Sequence, residues 1–431
     1  MNRAVFLDRD GVINEISGGE FVNNISELKL VEGAIEGIKL LNSLGSKVIV
    51  VTNTPQVARG LCTEVDVEKL HEELKKSLEK EGATIDAFYY CPHHPEKYHT
   101  DIKPEFMKYR IECKCRKPNT GMIEDATKIF GVDIKNSFLV GDRTVDIKTG
   151  ENAGCRTILV KTGIGGSDQK YDVKADFTVS DILGAARLIK NIIEMKTVIL
   201  VGGRGERLGP LTDKLPKPML PIKGKPLLEY LVELNKQHGI DKIVMSGHYL
   251  FNKIKDHFKY GSRFGVSIEY VDDGPEPLGS GGALRNCENL LPENFIVMSG
   301  DVFTNINLWE LIKFHFNKNS VATLVVRKTD HPHDSDLIEL NEESGAVKFY
   351  GKNEPNKVGD IANASPFVFK KNIIKFIVGK TPNLENDVVA SAIASGNVYC
   401  YFNTKYLIKD IGTLERYNSV EKLIDTKHVE S

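Results

Sequence analysis

The sequence predicts an α/β protein built from two units, and three observations carry that prediction. Short β-branched runs alternate with amphipathic helical stretches along the whole chain, the pattern of parallel strands joined by helices. The alternation breaks once, at SDILGAARLIKNIIEMK (Ser180 to Lys196), and then restarts with a fresh strand. Each series opens on a strand that runs into a phosphate-handling motif, FLDRDG (Phe6 to Gly11) in the first and VILVGGRGERLG (Val198 to Gly209) in the second. The two halves share no repeat at fixed period.

In the first half, AVFLD, KVIVVT, AFYYC, SFLVGD and RTILVK are the expected strands, with helices at Val65 to Glu81 and Met122 to Phe130. Ser180 to Lys196 has apolar residues at helical spacing and a serine placed as N-cap. The expected organisation is a domain over 1–180, a helical linker over 181–195 and a second domain over 196–431. There KIVMSG, SIEYVDD, NFIVMSGD, VATLVVRK, PFVFK and VYCYF are the expected strands.

Composition excludes several classes. The chain has 431 residues, 41% apolar and 27% charged, enough to bury full cores in two or three domains. A formal net charge of −2 offers no basic surface for nucleic acid or an anionic membrane. MNRAVFLDRD holds no signal-peptide stretch, and runs such as KVIVVT and FIVMSG are strand-length, far short of a membrane span. The expectation is a cytoplasmic protein with reduced cysteines, any cluster of which binds metal rather than forming disulfides. The sequence leaves the oligomeric state, including a homo-oligomer, open.

In the first half, Asp8 and Asp10 lie at the end of the first strand, where open α/β sheets bind ligands. One carboxylate can attack phosphorus while the other protonates the leaving oxygen. Thr52 and Asn53 end another strand with a hydroxyl and an amide suited to phosphate oxygens. Lys117 in CRKP supplies a cation for the same phosphate. Asp142, at a later strand end, and Asp146, one helical turn on, form an acidic pair suited to Mg²⁺.

DxDG, Thr, Lys and GDxxxD, in that order over roughly the first 180 residues, resemble the haloacid dehalogenase-like phosphatases, whose fold is Rossmannoid. The resemblance implies that Asp8 forms an aspartyl-phosphate, that Asp10 is general acid and then base, and that Lys117 binds the phosphate. It implies Mg²⁺ held at Asp8, Asp10 and Asp142, a backbone carbonyl among the ligands. Val12 stands where the motif usually has Thr.

Cys91 and His93 in YCPHHPE, with Cys113 and Cys115 in ECKCRKP, offer three thiolates and one imidazole, the donor set of a closed structural Zn²⁺ site. His94, adjacent to His93, is a competing ligand that should point elsewhere, and His99 is read as a solvent or substrate contact. The zinc loop is similar to the branch holding heptose-1,7-bisphosphate 7-phosphatases and histidinol-phosphate phosphatases, as are FLDRDGVIN, ARG (Ala58 to Gly60), CxCRKPxxGM and VGDR. Arg59 and Arg116 are the implied substrate contacts. TNTPQVARG for TNQSGIARG, and NTGM for HPGM, depart from that branch beside the substrate.

In the second half, glycines 202, 203 and 205 let backbone approach a triphosphate closely, and Arg204 and Arg207 add forked cations. Lys217 follows Arg207 by ten positions in a proline-stiffened segment, placed to neutralise an α-phosphate. GGxGxR with PKPMLPI resembles the sugar-phosphate nucleotidyltransferases, over roughly residues 196–422. That implies a Rossmann-like domain with a mixed sheet. PLGSGGAL, with Gly279 and Gly282, is the implied nucleoside-reading loop, and Asp301 and Asp410 are the implied Mg²⁺ ligands. Lys352 and Asn363 are the implied sugar-phosphate contacts. Val201 replaces a usual alanine, Gly351-Lys352 a usual Glu-Lys, and Asn363-Ala364-Ser365 a usual NAG.

Together the resemblances imply consecutive reactions. A heptose-bisphosphate phosphatase leaves a sugar 1-phosphate, and a sugar-1-phosphate nucleotidyltransferase consumes one. The HxGH motif of heptose adenylyltransferases is absent. The implied co-substrate is therefore an NTP, GTP by likeness to the guanylyl branch, and the implied product is GDP-heptose. A hexose-1-phosphate transferase, such as a mannose-1-phosphate guanylyltransferase, and a non-catalytic half are the alternatives.

Overall fold

The computed structural model describes residues 2–16, 21–95 and 103–427, with side chains described up to residue 423. His99 and part of the loop that begins at His94 lie outside the described residues. The chain divides into two compact units, Met1–Ile192 and Ile193–Ser431.

The first unit runs β1 (Ala4–Leu7), α1 (Ala34–Ser43), β2 (Lys47–Asn53), α2 (Pro55–Ala58), α3 (Glu64–Lys80), β3 (Ala87–Cys91), α4 (Gly121–Phe130), β4 (Phe138–Gly141), α5 (Thr144–Ala153), β5 (Arg156–Val160), β6 (Phe177–Val179) and α6 (Ile182–Ile193). Its six strands form a parallel sheet in the order β3-β2-β1-β4-β5-β6. Strand order reverses between β1 and β4, which creates a crevice at their C-terminal ends. β1 reads as continuous apolar sequence because helices cover both faces, and all four of its residues are buried.

The helix expected as a linker closes this unit. A Cβ at Gly37 of α1 would stand 3.2 Å from the Ile182 backbone, so only glycine lets α6 approach so closely. The expected serine cap is corrected. Asp181 accepts from the Gly184 backbone N–H at 2.7 Å, while the Ser180 hydroxyl donates to Asp181. A carboxylate one residue nearer the helix is the better-placed acceptor.

The second unit runs β7 (Lys196–Leu200), β8 (Pro221–Ile222), β9 (Lys225–Pro226), α7 (Leu227–Gln237), β10 (Lys242–Gly247), α8 (Phe251–Phe258), β11 (Ser267–Asp272), α9 (Gly279–Asn286), β12 (Asn294–Ser299), β13 (Val302–Thr304), α10 (Leu308–Lys318), β14 (Ala322–Lys328), β15 (Leu337–Leu340), β16 (Ala346–Tyr350), β17 (Ile361–Lys370), α11 (Ala390–Ala394), β18 (Val398–Phe402), β19 (Ile408–Asp410) and α12 (Leu414–Lys427). The main sheet is mixed, in the order β11-β10-β7-β12-β17-β14-β18. β11, β10, β7 and β12 are mutually parallel, whereas β17 is antiparallel to β12 and β14. The parallel half supplies a second strand-end crevice. Phe295, Phe367, Phe369 and Leu384 help fill one core of this unit.

Candidate active sites

In the first unit the chain leaves β1 at Asp8 and turns sharply at Gly11, whose φ of 84° favours glycine. β4 delivers Asp142, and the first turn of α5 delivers Asp146. A ligand oxygen from each of Asp8, Asp142 and Asp146 lies within 4.8 Å of the others, and all three residues are buried. Asp142 is held between Gly11 and Gly163, where an added Cβ would meet its Oδ2 at 2.3 and 2.2 Å. Ile164 N–H donates to that Oδ2 at 2.7 Å. Its Oδ1 is buried without a hydrogen-bond partner, and the nearest guanidinium nitrogen, Arg143 Nε, is 4.0 Å away. Burial, then the neighbouring carboxylates, push the Asp142 pKa well up; burial does the same to Asp146 despite Lys117. Like charges out of water need a cation. The orphaned oxygen and three hard oxygen donors fit Mg²⁺.

Lys117 arrives from the segment before α4. Its Nζ lies 3.0 Å from Asp8 and 2.5 Å from Asp146, fully buried. Asn53 differs from expectation: its amide accepts from Lys117 N–H at 3.0 Å and donates to the Lys117 carbonyl at 3.2 Å. It therefore fixes the lysine's backbone, and Thr52 is left as the buried hydroxyl at this strand end.

The Asp10 carboxylate stands outside the group of Asp8, Asp142 and Asp146; in the Mg²⁺ set that the resemblance implies, Asp8, Asp10 and Asp142, one ligand is a backbone carbonyl. Its carboxylate is forked by Arg9, Nη2 at 2.8 Å and Nε at 3.2 Å, and accepts from Asn14 at 2.8 Å. The i, i+2 spacing plus the turn sends the two aspartates to different partners. Arg59 and Arg143 flank the Phe21 ring, at 5.9 and 5.5 Å. Arg116 donates to the His93 carbonyl at 3.0 Å, so this expected substrate contact also braces the cysteine loop.

At that loop, Cys91 from the end of β3 meets Cys113, Cys115 and His93. The Sγ–Sγ distances are 3.2 to 3.5 Å, and His93 Nδ1 is 3.4 Å from Cys115 Sγ and 3.7 Å from Cys91 Sγ. Zinc bonds of about 2.3 Å to sulfur and 2.0–2.1 Å to nitrogen put tetrahedral ligands roughly 3.5–3.8 Å apart. The donor set fits. Contact with Cys91 draws the Cys115 thiol pKa down, and contact with Cys115 pushes Cys91 up. The His94 imidazole is not in this group.

In the second unit a cavity of about 590 Å³ opens at the C-terminal ends of β7, β10 and β12. Residues 200–207, Lys217, His248, Asp273, the start of α9, Asp301 and Glu385 line it. Gly205, at φ 70°, turns the loop, and a Cβ there would press on Thr212 and Lys217. A Cβ at Gly202 would stand 3.4 Å from His248 Nδ1 and 3.5 Å from Asp273 Oδ2; Gly203 faces open space. Arg204 lies over the Tyr249 ring. Arg207 reaches Gly412, where a Cβ would meet its Nη2 at 3.0 Å.

The expected nucleoside loop, Pro277 to Leu284, lines this cavity and is helical from Gly279 on, as part of α9. Gly279 has φ 72° and packs against the Thr381–Pro382 backbone, and Gly282 packs on Leu278. Lys217 Nζ pairs with Asp301. Asp301 and Asp410, 109 positions apart, lie on neighbouring backbone segments because β13 pairs with β19: Val302 lies opposite Asp410, and Ile411 N–H donates to the Asp301 carbonyl. Arg416 Nη1 binds both Asp410 oxygens, at 2.9 and 3.0 Å. Burial alone would raise the Asp410 pKa; the hydrogen bonds from Arg416 and Gly412 bring it below the usual value.

Asp410, Lys352 and Asn363 are not among the residues lining this cavity. Lys352 pairs with Asp334, which also binds Arg416. Asn363 Oδ1 is buried without a partner. Sequence reasoning missed Glu385, which sits in a π-helical turn, Leu384–Val389. Burial, then Asp336 and Asp301, raise its pKa to about 7. It also missed His248 and Asp273, although Asp273 is the last residue of SIEYVDD and directly follows β11.

Comparison with known proteins agrees with this division. The nucleotidyl transferase family model matches residues 196–427, over half the chain, and a HAD-hydrolase-like model matches residues 114–185. A mannose-1-phosphate guanylyltransferase from Mycobacterium tuberculosis is 33% identical, over 52% of this chain and 63% of its own. A D-glycero-beta-D-manno-heptose-1,7-bisphosphate 7-phosphatase from Photorhabdus laumondii is 39% identical, over 32% of this chain and 70% of its own. The solved structure of HddC from Yersinia pseudotuberculosis with GMP-PN is 25% identical, covering 53% of this chain and 99% of that one, at a TM-score of 0.46. The chain spans about three fifths of the length of the curated nucleotidyltransferases it matches. The chain thus belongs to the nucleotidyl transferase family through its second unit and to the HAD-like heptose-bisphosphate phosphatases through its first. Among the described residues no helix is long and apolar enough to cross a membrane.

Proposed function

We propose that this chain is a bifunctional enzyme of nucleotide-activated heptose synthesis. One observation carries the reading: a single chain joins a member of the heptose-bisphosphate phosphatase family to a member of the nucleotidyl transferase family, and the product class of the first is the substrate class of the second. In the first unit an Asp8 oxygen attacks the 7-phosphate of a heptose 1,7-bisphosphate. The P–O bond to the sugar breaks, and Asp10 gives its proton to the leaving oxygen. Asp10 then takes a proton from water, which attacks the aspartyl-phosphate and releases inorganic phosphate. Lys117 neutralises phosphate charge. Asp8, Asp142 and Asp146 would hold Mg²⁺, which supplies charge neutralisation. Cys91, His93, Cys113 and Cys115 would hold a structural Zn²⁺.

In the second unit a sugar 1-phosphate oxygen attacks the α-phosphorus of an NTP and pyrophosphate leaves. The protein positions the groups and neutralises charge. Lys217 faces the α-phosphate, the 202–207 loop cradles the triphosphate, and Asp301 and Asp410 would hold Mg²⁺. GTP is the proposed nucleotide and GDP-heptose the product, in the cytoplasm. The 33% identity to a mannose-1-phosphate guanylyltransferase supports a second reading, in which a hexose 1-phosphate is used.

The test measures pyrophosphate release from each of the four NTPs with heptose 1-phosphate and with mannose 1-phosphate. A parallel assay measures phosphate release from heptose 1,7-bisphosphate. The proposal expects the GTP–heptose pair to lead. Leadership by mannose 1-phosphate, or no phosphate release, overturns it.

A further inference from the structure

Arg9 lies between the two aspartates of the phosphatase motif and serves both. Its backbone N–H donates to Asp8 Oδ1 at 2.7 Å, and its guanidinium forks onto Asp10 at 2.8 and 3.2 Å. The side chain is wholly buried, at 0% exposure. What holds the guanidinium is His71 on α3: Arg9 Nη1 lies 3.1 Å from His71 Nε2. Arginine has only donors, so Nε2 is the acceptor and the ring proton sits on Nδ1. Burial, then the Arg9 charge, lower the His71 pKa to about 3, which keeps the ring neutral. The ring is 5% exposed and stacks on Phe88, with centroids 4.8 Å apart, so its plane is fixed. His71 is the polar member of the buried stripe of α3, beside Val67, Leu70, Leu74 and Leu78.

We propose that His71 is a positioning residue for phosphate-ester cleavage: through Arg9 it sets the orientation in which Asp10 meets the leaving oxygen. The inference rests on the reading of Asp10 as proton donor. A donor's contribution depends on its reach to the leaving oxygen, so misplacement costs most where that oxygen leaves poorly.

The test uses the full chain with Mg²⁺ and two substrates. One is a sugar primary phosphate, whose alkoxide needs a proton. The other is p-nitrophenyl phosphate, whose phenolate leaves unaided. The quantity compared is kcat/KM, which reports ester cleavage. Asp10→Asn sets the reference and should lower the sugar phosphate rate ~100-fold or more relative to the aryl ester. His71→Leu should move the same ratio in the same direction, by about 10-fold or more. His71→Gln, which keeps an acceptor toward Arg9, should restore it. Arg9→Lys keeps the buried charge but loses the fork, and reads the same ratio if His71→Leu does not fold. An equal fall on both substrates for His71→Leu, or none, overturns the inference when Asp10→Asn behaves as expected. If Asp10→Asn itself treats both substrates alike, the reading of Asp10 fails and takes the inference with it.

Discussion

Asp301 and Asp410 show how far a residue's sequence context reaches. Each was recognisable from a motif at the end of an apolar run, yet nothing in the sequence states that they meet. The β13–β19 pairing makes their backbone segments neighbours, and the same neighbourhood gives Asp410 a partner outside the motif, Arg416. A carboxylate with both oxygens on one arginine nitrogen still has lone pairs for a cation. If both aspartates share Mg²⁺, Asp301→Asn and Asp410→Asn should each lower nucleotidyl transfer by orders of magnitude at saturating Mg²⁺ and NTP, with phosphatase activity unchanged. A near-normal rate for Asp410→Asn would assign it to holding Arg416. Asn53 and Asp10 teach the same lesson: each was legible as part of a motif, and its hydrogen-bond partners were not.

At the scale of elements, α/β alternation made most strands readable, because a parallel strand buried on both faces must be almost wholly apolar. Short edge and hairpin strands escaped: β6, β13, β15, β16 and β19 are three to five residues long. The resemblance implies a nucleoside-reading loop at PLGSGGAL; from Gly279 on the segment is helical, with Gly279 and Gly281 packed on the Thr381–Pro382 backbone. Glu385 gave no signal, since LENDVV has no distinguishing pattern and only the π-helical turn aims it at the cavity. The cysteine segment was legible because three thiols and an imidazole in close spacing have few other uses. It joins the end of β3 to the turn carrying Arg116 and Lys117. Metal analysis of protein purified without chelator should find one Zn²⁺ per chain. Cys113→Ser should lower the phosphatase rate more than the transferase rate. No zinc, or equal losses, would count against a structural ion here.

At the scale of the molecule, the two sets of motifs do not interleave, and the chain divides at Ile192–Ile193. Each unit has its own sheet and its own strand-end crevice, so each chemistry should survive loss of the other. Asp8→Asn should abolish phosphate release from the bisphosphate while pyrophosphate formation from the 1-phosphate continues at its normal rate. Loss of both activities in a folded Asp8→Asn protein would refute separate sites. The sequence by itself determined the class of each unit, the order of the units and the types of chemistry available. Those depend on local pattern: apolar period, glycine at tight turns, carboxylates at strand ends. Tertiary structure alone decided which side chains share a site. It brought the Asp142–Asp146 pair to Asp8, turned Asn53 toward Lys117, and set Arg9 and His71 behind Asp10. Those are contacts between residues far apart in the chain, fixed by burial and by the need of every buried charge for a partner.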